Sequence, residues 1–260
     1  MKHHIVLKLT LLIIALQACT PKKPKMNCEN AGPQTPRDID SYSGTNKTLF
    51  AQALPISDMN LCNIHFHKNA EHKAKDFPIY AGDGDKGYNS GYQCTMSKHL
   101  SEAELAPTKE KICHSKLNSL LPGDTIEVHW VLSSCDVKPA PTLGACSSAS
   151  CINPQLRVET QVFTLVNDTK ALNFNQIQRA SDLPQNTGTP VEFLGSTTGP
   201  SFSDTVCSPL QVTWSVRPKC AKLDINSVGK WCKDNIFDEG QAHGVRKLVI
   251  KPELLSKIKK

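Results

Sequence analysis

Residues 125–132, Thr125-Ile126-Glu127-Val128-His129-Trp130-Val131-Leu132, alternate with a period of two and give the strongest strand signal in the chain. Successive side chains of a strand point to opposite faces, so Glu127, His129 and Val131 share one face and Ile126, Val128, Trp130 and Leu132 the other. The second face is a core face. The first carries a carboxylate and an imidazole, and an unpaired charge taken into a protein interior is costly. A metal ligand held by a neighbouring carboxylate is one arrangement that offsets the cost.

A second alternating segment, Asn63-Ile64-His65-Phe66-His67, repeats the pattern. His65 and His67 stand about 7 Å apart on one strand face and can turn toward a shared point, with Ile64 and Phe66 behind them. Catalytic zinc takes three protein ligands and keeps a fourth position open. His129 is the expected third ligand, and His72 is its main rival. Three neutral imidazoles leave the full charge of the ion acting on a bound water, whose pKa then falls towards 7. His3 and His4 lie in the leader, and His99, His114 and His243 stand in loop-like contexts where exposure is expected.

The remaining pattern is that of a mainly β protein. Strands are expected at 61–67, 156–166 and 210–216, with an edge strand at 246–250 and a glycine/threonine loop at 193–200. A short helix is expected at 100–111, with Ser101 as its N-cap. Residues 81–87 have D-x-D spacing but no acidic residue at the twelfth loop position, so a surface loop is expected in place of a calcium site. Short strands dominate and helical periodicity is scarce. The fold class expected is therefore mainly β (α+β with few short helices), in a single domain.

The N-terminus is read separately. A basic start is followed by an apolar run from Ile5 to Leu16, too short to span a bilayer, and then by Leu16-Gln17-Ala18-Cys19. A small residue directly before cysteine resembles the cleavage box of bacterial lipoproteins. Residues 1–18 are accordingly expected to be a signal peptide, with cleavage near Ala18 of an ordinary signal as the alternative. Residues 19–26 would be a lipidated Cys19 and a tether, and 27–260 the folded domain with a basic tail. That places the protein outside the cytoplasm, on the periplasmic face of a bacterial membrane (the outer one by expectation).

Of eleven cysteines, ten remain after Cys19, an even number that reads as a framework of up to five disulfides in an oxidising compartment. Spacing does not give the connectivity. The formal charge of +6 sits largely in the leader, tether and tail lysines. Without them the charge changes sign, which excludes an electrostatic footprint for nucleic acid. The membrane contact expected is the lipid anchor.

The blocks Asn63-x-His65-x-His67, Ala70-Glu71-His72 and Glu127-x-His129-Trp130 resemble the zinc motifs of carbonic anhydrases. The long interval between His67 and His129 and the Ala70-Glu71-His72 form are similar to the δ class and its bacterial carbonic-anhydrase-like relatives, related in motifs to the α class. Gly32-Pro33-Gln34-Thr35-Pro36-Arg37-Asp38-Ile39 and Gly195-Ser196-Thr197-Thr198-Gly199-Pro200, with Val212-Thr213-Trp214, extend the likeness.

The resemblance implies a large twisted, mostly antiparallel β-sheet and reversible hydration of CO2 to bicarbonate by zinc-bound hydroxide. It implies zinc on His65, His67 and His129, with Glu127 and Asn63 as the partners of ligand imidazoles. Thr198 would hydrogen-bond the hydroxide, with Thr197 as the alternative, and Glu71 would accept the threonine's proton. Val131, Val162 and Trp214 would line the CO2 pocket, and Cys28 would pair with Cys207. No shuttle histidine stands upstream of His65. A catalytically weak or inactive zinc-binding lipoprotein of the same family is therefore the alternative.

Overall fold

The computed structural model describes residues 28–41, 44–83, 90–115, 119–197, 202–245 and 249–258. Its centre is a seven-stranded sheet built from β1 (Asn60–Lys68), β4 (Thr125–Ser133), β5 (Leu156–Val166), β6 (Val191–Ser196), β7 (Gln211–Val216), β8 (Ala221–Asp224) and β9 (His243–Gly244). The strand order is β6-β7-β5-β4-β1-β9, with β8 also paired to β5. A separate two-stranded sheet joins β2 (Ile79–Tyr80) to β3 (Tyr92–Gln93).

The sheet is mixed. β1/β4, β4/β5 and β6/β7 are antiparallel, whereas β5/β7, β5/β8 and β1/β9 are parallel. Every residue of β4 is buried, as expected of a central strand covered on both faces. On one face Ile64, Phe66, Val128, Trp130 and Phe163 pack against Val228 and Trp231 of α1 (Ile225–Lys233). Asp224 caps α1 by accepting from the Asn226 amide at 3.0 Å. The other face of β1, β4, β5 and β7 is free to hold polar chemistry, and the histidines project there.

Five disulfides join Cys28–Cys207, Cys62–Cys146, Cys94–Cys220, Cys113–Cys232 and Cys135–Cys151. The first ties the N-terminal segment to the loop that follows β6. That segment makes further bonds there: Thr35 Oγ1 donates to Ser196 O at 2.6 Å, and Gln34 Oε1 accepts from Ser196 Oγ and from the Ser208 amide. Gly195 permits this close approach, because a Cβ at that position would lie 2.5 Å from Thr35 Oγ1.

Several sequence expectations are corrected. Residues 100–111 form one turn and no helix: Ser101 and Glu104 hydrogen-bond each other, but Pro107 cannot continue the ladder. Residues 193–196, taken as part of a loop, belong to β6, because β7 offers them an antiparallel partner. Near the C-terminus the strand is His243–Gly244; Val249 and Ile250 are not in a strand, and 246–248 lie outside the described residues. The helix α1 carried too short a pattern to be read in the sequence.

Candidate metal centre

β1 and β4 run antiparallel with His65 directly opposite His129 and His67 opposite Glu127. This register brings the two histidine-bearing faces together, and the ligating atoms of His65, His67 and His129 all lie within 4.8 Å of one another. Each ring has committed one nitrogen elsewhere. His65 Nδ1 donates to Asn63 Oδ1 at 2.7 Å, and His67 Nδ1 donates to Gly244 O at 3.4 Å. His129 Nε2 donates to Glu127 Oε1 at 2.7 Å.

Three nitrogens remain: Nε2 of His65, Nε2 of His67 and Nδ1 of His129. The first and last face each other at 3.2 Å, and His67 Nε2 is buried without a hydrogen-bond partner. Lone pairs turned toward one another are unfavourable unless a cation lies between them. The spacing is close to the roughly 3.3 Å edge of a tetrahedron with zinc–nitrogen bonds of 2.0–2.1 Å. The residues therefore fit a zinc ion.

Burial and mutual repulsion of the rings keep His65 and His67 neutral. Burial foremost, then His129 and His67, holds the His65 imidazolium well below its ordinary range. Burial lowers His67 to about 4, against the opposing pull of Glu71. Glu127 is fully buried, and burial alone would raise its pKa; its neighbours His72 and His129 outweigh that and hold it well below the ordinary carboxylate range.

The Glu127 carboxylate also accepts from His72 Nδ1 at 2.8 Å and from the His72 amide at 3.1 Å. His72, the rival ligand, thus belongs to a row behind His129. The compact group His72, Glu127 and His129 is closed by these direct hydrogen bonds, which leave no gap for an ion.

The three histidines open into a cavity of about 220 Å³, with Asn63, Val131, Trp214 and Thr197 among its walls. Val162 is a correction. It pairs with Glu127 and packs in the core, whereas Val158, opposite Val131, lines the cavity. The side-chain alternation of β5 was legible, but the pairing register that selects between the two valines was not.

Glu71 is buried, with Oε1 at 3.7 Å from His67 Nε2. Thr198 and Cys19 lie outside the described residues. Thr197 Oγ1 is 3.1 Å from Ser208 Oγ and forms part of the cavity wall.

Sequence reasoning missed six wall residues besides Val158: Thr142, Leu143, Leu156, Val212, Glu239 and His243. His243, expected to be exposed in a loop, sits on β9 opposite His67, stacks on His65 with ring centroids 5.5 Å apart, and donates to Glu239 at 2.8 Å. Thr142 and Leu143 come from the cysteine-stapled excursion after β4, and no local pattern marks them. Val212 shared a strand face with Trp214 and could have been found on that ground.

A family model described as Delta carbonic anhydrase matches residues 56–227. No curated protein matches the chain. Among solved structures, the chain is similar to the alpha-carbonic anhydrase from Thermovibrio ammonificans in complex with the inhibitor sulfanilamide. The two share 12% identity over 88% of this chain and 87% of that one, with a TM-score of 0.30.

Proposed function

Because this chain belongs to the delta carbonic anhydrase family, whose model spans residues 56–227, we propose that it catalyses the reversible hydration of CO2 to bicarbonate. The observation that carries this is the convergence of three imidazole nitrogens on one point, beside an apolar wall. A zinc ion held by His65, His67 and His129 supplies Lewis acidity and a water-derived nucleophile at neutral pH.

The chain's own residues have separate tasks around that chemistry. Asn63, the Gly244 carbonyl and Glu127 each hold one ring in the tautomer that leaves the inward nitrogen free. Val131, Val158, Val212 and Trp214 offer CO2 an apolar resting surface that asks for no hydrogen bonds. Thr198 is the hydroxyl assigned to aim the nucleophile, and Thr197, in the cavity wall beside Ser208, is its alternative. Glu71 is the carboxylate assigned to accept the threonine's proton. Burial works against its ionisation, but His67 and His129 keep its pKa below the ordinary value.

The protein is also proposed to be exported and lipidated at Cys19, facing the periplasm from a bacterial outer membrane. The leader sequence supports this, as does the bonding of ten cysteines in five disulfides, which need an oxidising compartment. Metabolic labelling with a radioactive fatty acid tests it: label should enter the wild type and not Cys19→Ser, and an unlabelled wild type would refute the anchor. The catalytic proposal is tested by CO2 hydration assays of the zinc-loaded protein.

A further inference from the structure

The excursion between β4 and β5 forms one wall of the metal cavity through Thr142 and Leu143, neither of which the zinc chemistry uses. It is fastened to the metal-bearing strand by an unusual device. In β1, Leu61 pairs with Leu132 and Asn63 with Val131, so Cys62 is the extra residue of a bulge. A bulge re-aims one side chain at the expense of the ladder. Cys62 accordingly joins the apolar cluster on the metal side, while its neighbours Leu61 and Ile64 pack on the opposite side.

From that face Cys62 is bonded to Cys146, the last residue of the short 3-10 turn Leu143–Cys146. The Ala140 amide donates to Cys62 O at 3.3 Å, and Ser133 Oγ donates to Cys146 O at 2.6 Å. Cys135–Cys151 closes the base of the excursion. Immediately before the turn, Thr142 adopts φ 63° and ψ 164°, a region that is nearly restricted to glycine and is costly for a β-branched residue. Strain of this kind persists only where the surroundings over-determine the conformation, and the two disulfides do so here. Leu143 is held as a result at the rim, in the cavity wall yet 41% exposed.

We propose that Leu143 is a specificity-determining residue: its clamped side chain narrows the mouth so that a small linear molecule reaches the histidines and an aryl-bearing one does not. The cavity behind it, about 220 Å³, is smaller than the roughly 300–1,000 Å³ of pockets that take drug-sized ligands. The inference rests on the metal-centre reading, and its substrate rests on the CO2 reading.

The test uses the zinc-loaded full chain and two probes with one metal-binding head, acetohydroxamate and benzohydroxamate, measured by calorimetry. Leu143→Ala should bind benzohydroxamate at least tenfold tighter than the wild type, with acetohydroxamate unchanged within twofold. Leu143→Trp should weaken benzohydroxamate and leave acetohydroxamate measurable. Equal benzohydroxamate affinity in wild type and Leu143→Ala overturns the gate. A wild type that holds zinc but takes neither probe overturns the open metal site beneath it. The expected probe ratios without any CO2 hydration uphold the gate and overturn the hydration proposal alone.

Discussion

His65 Nε2 and His129 Nδ1 face each other at 3.2 Å, and each is the one nitrogen its ring has not already bonded to a neighbour. Two strands in antiparallel register bring them there, and Asn63 and Glu127 fix which nitrogen is left over. The pair is a stored repulsion that a cation resolves. Zinc should therefore bind the folded form and stabilise it, by about 2.7 kcal/mol at a free concentration a hundred times the Kd. Thermal unfolding with and without zinc measures this, and a Tm indifferent to zinc would count against it.

Glu127→Gln keeps the shape but leaves one carbonyl oxygen to serve donors that now share a carboxylate, His129 Nε2, His72 Nδ1 and the His72 amide. Zinc affinity should fall about 10–100-fold. A competition titration against a chromogenic chelator reads the change directly, with an affinity within twofold of wild type as the adverse result.

The zinc-free protein should lose stability on mild acidification. His67 has its folded pKa lowered from 6.5 to about 4, and His65 is shifted in the same direction. Between those values the unfolded chain binds more protons than the folded one. The stabilisation is therefore complete above pH 6.5 and is lost as pH falls to about 4. For His67 alone this amounts to about 3 kcal/mol. Urea unfolding at pH 7.5, 6 and 5 checks it; a midpoint that does not move across this range would be inconsistent with neutral, buried rings.

Thr198→Ala should lower kcat/KM for CO2 about 10²–10³-fold while zinc content stays stoichiometric, the pattern of a lost transition-state hydrogen bond. Thr197→Ala made in parallel assigns the role within the loop. If neither change affects the rate, the threonine loop is not the aiming element.

Much of the centre was legible because it lies on strands. Period-two alternation put His65, His67, His129 and Glu127 on inward faces before any pairing was known. What could not be read depends on register and on distant chain. Val158 replaces Val162 because β4 and β5 pair Val131 with Val158, a choice that alternation leaves open by steps of two. His243 reaches the site because β9 pairs with β1 across most of the chain's length. Leu143 is delivered by a bulge and a disulfide, neither of which has a signature in residue spacing. The parallel contacts of β5 with β7 and β8 were likewise invisible, because each joins strands separated by long connections.

The central claim is that three imidazoles hold a catalytic zinc for CO2 hydration. Stopped-flow measurement of CO2 hydration, with zinc content determined on the same samples, tests it most directly. The zinc-loaded wild type should hydrate CO2 well above the buffer rate, and His129→Ala should lose both zinc and turnover while its disulfide-bonded fold persists by circular dichroism. A wild type carrying stoichiometric zinc that hydrates CO2 no faster than buffer would contradict the claim.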